Sequence, residues 1–242
     1  MALSYLVLPD THGEYERVAQ ITKENDKTFD RFVFLGDLLD GRNPSKLIEY
    51  VRGLGERAIT IAGNHEWVCR NALSVVEDPV VDVWRDEVWP GYEHNVLASY
   101  DLQRTPDWQK NAVALRQAMQ ERGDLAWLND LRPYIETDEF IGVHAGPKLN
   151  EAWSIQSAEL DAFDNEAARL IDEPPQLFSH SLAALQAVPE TVSGTLFVTG
   201  HGHNHLSWDR RQAQRRVCLA SSVGRGEPFY VWDTVSKQVV AY

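Results

Sequence analysis

Pro9-Asp10-Thr11-His12-Gly13 follows the apolar run Tyr5-Leu6-Val7-Leu8. A short apolar run ending in Asp-x-His-Gly predicts a buried strand that delivers a carboxylate and an imidazole to a loop. Two specified residues carry little weight alone, but the chain repeats the arrangement. Arg31 to Leu35 runs into Gly36-Asp37-Leu38-Leu39-Asp40, and Ala58 to Ala62 runs into Gly63-Asn64-His65-Glu66. Glu139 to Val143 runs into His144-Ala145-Gly146, and Thr195 to Thr199 into Gly200-His201-Gly202-His203. If these strands share a sheet, their polar ends meet at its edge.

Between the first three strands the pattern is helical. Val18 and Ile21 mark one helix over Glu14 to Asn25. Leu47, Val51 and Leu54 mark a second, with Asn43 as N-cap, Pro44 at the first helical position, and Gly53 and Gly55 closing it. The first 66 residues therefore predict a βαβαβ unit with parallel strands and right-handed crossovers. Ligands of such sheets bind beyond the carboxyl ends of the strands, where Asp10, Asp37 and Asn64 fall.

Residues 67–135 change character. Strand signals thin out and Trp67, Trp84, Trp89, Trp108 and Trp127 crowd together, which predicts a helical insertion with a small aromatic core. Helices are expected over Asp107 to Glu121, with Val113, Leu115 and Met119 among the apolar positions, and over Asp124 to Leu131 before Pro133. A second helical stretch covers Ser157 to Ile171 and Ser181 to Val188. Arg215 to Ala220, Pro228 to Trp232 and Gln238 to Ala241 read as strands of an antiparallel meander. One domain over 1–242 is the expectation.

Bulk composition bounds the function. A chain of 242 residues with 43% apolar residues can bury a full core. Its net charge of −13 disfavours non-specific binding to nucleic acid or an anionic membrane. Phosphate can still be handled locally if bound cations supply positive charge. The two cysteines, Cys69 and Cys218, form no CxxC pair, against a disulfide framework or zinc finger. No apolar run reaches membrane-spanning length and the first strand starts within a few residues of Met1, so a cytoplasmic location is expected.

The candidate ligands are Asp10, His12, Asp37, Asn64, His144, His201 and His203. Oxygen and imidazole donors without thiolate suit Mn²⁺ first, with Fe²⁺, Zn²⁺ or Ni²⁺ as alternatives. Seven ligands exceed one tetrahedral site, so two divalent metal ions are expected. Two such ions about 3.5–4 Å apart hold a bridging hydroxide and clamp the attacking and leaving oxygens of an in-line displacement. That suits phosphate-ester hydrolysis.

These residues and their order resemble the calcineurin-like metallophosphoesterases, whose pattern is DxH, GDxxD, GNHE, H(A/G)G and GHxH. The resemblance runs from residue 5 to about 241. The first third is most similar to the protein Ser/Thr phosphatase branch and its symmetrical dinucleotide-polyphosphatase relatives. Leu97 to Tyr100, Leu125 to Leu128 and Phe140 to Gly146 also resemble bacterial phosphatases of that branch. The resemblance implies an α/β fold, a four-layer αββα sandwich of two mixed β-sheets. It implies that Asp10, His12 and His203 bind one metal, that Asn64, His144 and His201 bind the other, and that Asp37 bridges. His65 would protonate the leaving alkoxide, oriented by Asp40, and a carboxylate partner is expected to raise a histidine pKa.

Two departures stand out. The phosphatase branch has Asp-Arg-Gly after its second motif, the arginine gripping phosphate, whereas this chain has Asp40-Gly41-Arg42. Arg42 is thus a displaced substrate-binding candidate, with surface solvation or an ion pair as the competing role. The ending Gly200-His201-Gly202-His203 follows the wider superfamily. Glu66 reads as a partner behind the ligands or as a first-turn acid. His94, His180 and His205 read as structural or exposed, and the Arg210-Arg211 and Arg215-Arg216 clusters as a solvated hairpin. The leading expectation is a phosphatase acting on phosphomonoesters, including phosphoserine or phosphothreonine of a phosphoprotein. A phosphodiesterase or dinucleoside-polyphosphate hydrolase on the same fold, acting on a nucleotide or other phosphorylated small molecule, is the alternative. A scaffold without turnover would be expected to lack a ligand or the acid, and all seven ligands and His65 are present.

Overall fold

The computed structural model describes residues 3–74, 89–145, 152–165, 196–200, 212–213, 216–219 and 228–242. Its first third is β1 (Tyr5–Leu8), α1 (Tyr15–Glu24), β2 (Arg31–Phe34), α2 (Pro44–Gly53) and β3 (Ala58–Thr60). β1 pairs parallel with β2, and β2 with β3, as the apolar strands separated by amphipathic helices require. α3 (Asn64–Ser74) begins inside the Gly-Asn-His-Glu loop. α4 (Trp89–Ser99), α5 (Trp108–Arg122) and α6 (Asp124–Asp130) follow. The remaining elements are β4 (Tyr134–Glu136), β5 (Ile141–Val143), α7 (Trp153–Asn165), β6 (Phe197–Thr199), β7 (Gln212–Ala213), β8 (Arg216–Cys218), β9 (Tyr230–Asp233) and β10 (Gln238–Ala241).

The strands form two mixed sheets, ordered β10-β9-β1-β2-β3 and β4-β5-β6-β8-β7. The motif-bearing strands therefore do not share one sheet: the first three lie in one, and β5 and β6 lie side by side in the other. Nor is the C-terminal segment one meander. β8 runs parallel to β6, with Phe197 opposite Arg216, while β9 crosses to the first sheet, antiparallel to β1. Alternating apolar residues make both strands, but the same alternation fits either partner.

Strand alternation also explains the layering. Val7 and Val33 pack against Phe140, Val198 and Val217 of the second sheet. Their neighbours Leu6, Leu8, Phe32 and Phe34 point the other way, onto Val18 and Ile21 of α1 and Leu47 and Val51 of α2. On the far face of the second sheet, Ile141, Val143 and Phe197 meet Trp153 of α7. The order is helix, sheet, sheet, helix, as expected. Truncating a buried phenylalanine such as Phe34 in such a core costs about 3–5 kcal/mol.

The helical layer differs in detail from its sequence reading. α5 starts where expected, with the Asp107 carboxylate accepting from the N–H groups of Gln109 (3.1 Å) and Lys110 (3.2 Å). Its buried face is Ala112, Leu115 and Met119, while Val113 is 47% exposed. Asn43 occupies the N-cap of α2 but makes no side-chain capping bond. Helix α4 and strand β4 carry no strong local pattern and were not expected. Trp67 is buried in the core of this layer, with Trp108 and Trp127 packed against it. The side chains of Trp84 and Trp89, and the expected helix from Ser181, lie outside the described residues. No helix among the described residues is long and apolar enough to cross a membrane.

Candidate metal centre and active site

The site is assembled by loops that leave the carboxyl ends of parallel strands. The N–H groups of Thr11 and His12 donate to the Asp37 carbonyl (3.2 and 2.7 Å), which locks the first loop onto the second. Holding them this close requires unusual backbone: φ is +39° at His12, +52° at Asp37 and +100° at Asp40. Non-glycine residues in this region cost about 1–3 kcal/mol each and cluster where surrounding contacts impose them. Gly41 shows how tight the junction is. Its φ is +77°, and a Cβ there would sit 1.8 Å from the His12 carbonyl oxygen. Glycine is therefore required at position 41, and Arg42 comes one place later. Arg42 is exposed, at the rim of a 520 Å³ groove also lined by His12, Glu14, Asp40 and Asn95.

Below the groove, candidate ligand atoms of Asp10, Asp37 and His144 lie within 4.8 Å of one another, and those of His12, Asp37 and His65 form a second such group. Asp37 belongs to both, as a bridging carboxylate would. His144 is fully buried, and its Nδ1 lies 2.7 Å from the Leu35 carbonyl oxygen. A carbonyl only accepts, so Nδ1 carries the proton. Nε2 then turns its lone pair toward Asn64 Oδ1 at 2.9 Å and Asp37 Oδ2 at 3.5 Å. Acceptors converging in a buried place are repulsive on their own and satisfied by a shared cation. The donor set thus fits a divalent ion, and the backbone carbonyl behind His144 fixes the tautomer that ligation needs.

His65 is buried between two carboxylates. Its Nε2 lies 3.6 Å from Asp37 Oδ2 and its Nδ1 3.8 Å from Asp40 Oδ2. The carboxylates act on this histidine in the expected direction, but they do not set the outcome. Burial is the largest influence and holds its pKa below the usual 6.5, with Asp37 and Asp40 opposing. A depressed pKa makes the imidazolium scarcer and a stronger proton donor. Next in sequence, Glu66 takes up the polar backbone of the site. Its carboxylate accepts from the N–H groups of Asp37 (2.7 Å), Leu38 (2.7 Å), Leu39 (2.8 Å) and Gly63 (2.9 Å). Burial and the Asp37 charge push its pKa up against those bonds. Glu66 therefore stands behind the candidate ligands and is also an acid in the first turn of α3, which fits both of its sequence readings.

Asp10, His12, Asp37, Asp40, Asn64, His65 and His144 thus converge as expected, and Arg42 stays at the rim. Asp10 groups with His144, and His12 with His65, rather than Asp10 with His12. His201 and His203 lie outside the described residues, as do His180, His205 and the arginines at 210, 211 and 215. Gly200, just before them, presses on the site: a Cβ there would meet Asp10 Oδ1 at 2.7 Å. Asn95 was missed by the sequence reading. It reaches from α4 to donate from Nδ2 to Asp40 Oδ1 at 2.7 Å, and nothing in its local sequence announces this.

Two facing mixed sheets with carboxylates and imidazoles at the strand ends define a metallophosphoesterase architecture. The profile of the calcineurin-like phosphoesterases matches residues 3–205, and the chain belongs to that family. A relative from Nitrosococcus oceani, a symmetrical bis(5'-nucleosyl)-tetraphosphatase, is 29% identical over 173 residues, 68% of this chain. The chain matches only 51% of that relative's length. Among solved structures, a protein provisionally assigned as a diadenosine tetraphosphatase superposes with a TM-score of 0.56 at 14% identity, over 100% of this chain and 94% of its own. A metallophosphoesterase from Sphaerobacter thermophilus gives 0.51 at 15%, over 100% and 88%. At these identities the two structures support the fold alone.

Proposed function

We propose that the chain is a metal-dependent phosphoesterase whose centre is built from Asp10, His12, Asp37, Asn64 and His144 and completed by His201 and His203. The observation that carries this reading is the buried group of Asp10, Asp37 and His144, with His12 and the acid His65 gathered on the other side of the same Asp37. Two bound divalent ions, Mn²⁺ first, would neutralise phosphate charge and activate water by Lewis acidity. The protein's own residues supply the rest. As water attacks phosphorus and gives up one proton to solvent, the P–O bond to the leaving group breaks and its electron pair passes to the leaving oxygen. His65 gives that oxygen a proton, and Asp40 holds the imidazolium. Arg42 at the rim is placed to meet the non-reacting part of the substrate.

Two substrate classes share this chemistry. The spacing of the Asp37–Asp40 and Asn64–His65 motifs supports phosphomonoesters, phosphoproteins included. The Nitrosococcus relative favours dinucleoside polyphosphates, and because it bears on the substrate itself we place that class first. Initial rates on a dinucleoside tetraphosphate, p-nitrophenyl phosphate and bis(p-nitrophenyl) phosphate, with Mn²⁺ and with chelator, test both. Chelator-sensitive turnover led by the tetraphosphate is expected. A lead by the monoester restores the phosphatase reading, and no turnover of any of them removes the function.

A further inference from the structure

We infer that Asn95, on helix α4, is a positioning residue that sets the Asp40 carboxylate against the acid His65 and so makes the helical layer part of the leaving-group machinery. The inference rests on the phosphoesterase reading above. Asp40 lies in left-handed backbone, with φ at +100° and Gly41 beside it at +77°. Its side chain is partly exposed at the groove, where a carboxylate is free to turn toward solvent. Two contacts divide its oxygens. Asn95 Nδ2 donates to Oδ1 at 2.7 Å, and Oδ2 is left toward His65 Nδ1 at 3.8 Å. An ionised carboxylate only accepts, so the amide must present its N–H₂ and the bond has one sense.

The consequence is directional. With Oδ1 occupied, the carboxylate is held with Oδ2 facing the imidazole at ion-pair distance, so that its charge favours the ring orientation in which Nε2 lies toward Asp37. Asn95 and Asp40 both line the groove that also contains His12, Arg42 and Ala98. The amide is therefore at the substrate entrance and behind the acid at once. Because α4 carries it, the placement of that helix determines how well the acid is aimed. Proton donation matters most when the leaving oxygen is strongly basic and least when it is a stable phenolate.

The test compares Asn95→Ala and the near-isosteric Asn95→Leu, neither of which can donate, with wild type loaded with Mn²⁺. Phenyl phosphate carries a basic leaving group and p-nitrophenyl phosphate a weakly basic one. kcat on phenyl phosphate is expected to fall about tenfold or more, as befits weakened general acid catalysis, and on p-nitrophenyl phosphate less than about twofold. An equal fall on both, or no fall, overturns the inference, since a merely structural bond would not discriminate between leaving groups. Crystal structures of wild type and Asn95→Leu give a readout independent of turnover. Asp40 is expected to swing off His65 in the variant, and finding it unmoved overturns the inference as well. Wild type inert on both esters and on the dinucleoside tetraphosphate would refute the phosphoesterase reading, leaving the crystallographic comparison to decide the positioning role.

Discussion

The loops after β1, β2 and β3 and the helical layer from α4 to α6 are held together in opposite ways. The loops are joined through main-chain groups: two N–H groups meet on the Asp37 carbonyl, and four more on one side chain, the Glu66 carboxylate. The helical layer is joined by side chains far apart in sequence. Tyr100 donates to Asp124 Oδ2 at 2.8 Å, Arg52 of α2 pairs with the same carboxylate, and Arg104 and Asn111 share Glu93 Oε1. Main-chain joints survive most substitutions because nearly every residue supplies the same groups, so the loops keep one shape and depend on a particular side chain chiefly at Glu66. Side-chain joints can be altered one residue at a time, so the helical layer is where a family member can reshape what approaches a fixed centre.

The largest expected effect comes from the residue both ligand groups share. Asp37→Asn keeps the shape but removes the bridging charge. Metal content measured by mass spectrometry should fall, and turnover should drop by more than about a hundredfold, beyond what changing a ligand's outer partner costs. Full activity with full metal content would break the assignment of Asp37 and with it the view that the loops form one centre.

Glu66 comes next. Glu66→Ala leaves four buried N–H groups without their acceptor, each costing about 1–3 kcal/mol if water does not reach it, so a loss above about 3 kcal/mol is expected in urea unfolding. Glu66→Gln should also destabilise, by less, because its N–H₂ must face N–H donors. A Gln variant as stable as wild type would show that the loops hold without the carboxylate. In the helical layer, Tyr100→Phe removes one hydrogen bond to a buried carboxylate and should cost about 2 kcal/mol, with kcat unchanged. If kcat fell with stability, the two regions would be more tightly linked than their contacts indicate.

The difference in joints also explains what was legible in the sequence. A loop that follows its strand directly keeps strand and candidate ligand in one short window, so Asp10, Asp37, Asn64 and His144 could be picked out by reading along the chain. Gly41 could be read only as a displaced arginine until the His12 carbonyl beside it gave the reason. Asn95 could not be read at all, because its partner Asp40 is 55 positions away and α4 lacks a clear amphipathic stripe. The partition of strands between two sheets was hidden for a similar reason: alternation selects a face, not a neighbour. The pKa of His65 depended on burial, which no motif encodes.

The smallest effect is expected at the other end of the same strands. Just before β1, Ser4 donates to Asp30 Oδ2 from both N–H and Oγ, each at 2.8 Å, and these bonds hold the Asp30 carboxyl below its ordinary 3.8. A carboxyl lowered on folding adds stability above its unfolded pKa and loses it as pH falls through the folded value. Ser4→Ala keeps the N–H bond and removes the hydroxyl, so the Asp30 pKa, followed by NMR, should move back up without reaching 3.8. The stabilities of variant and wild type should differ slightly near neutrality and converge in acid, where both carboxyls are protonated. Turnover should not change, because Ser4 and Asp30 flank the amino ends of β1 and β2 while the candidate centre lies beyond their carboxyl ends. A change in kcat here would mean that strain at one end of a strand reaches the other, against the separation the main-chain joints imply.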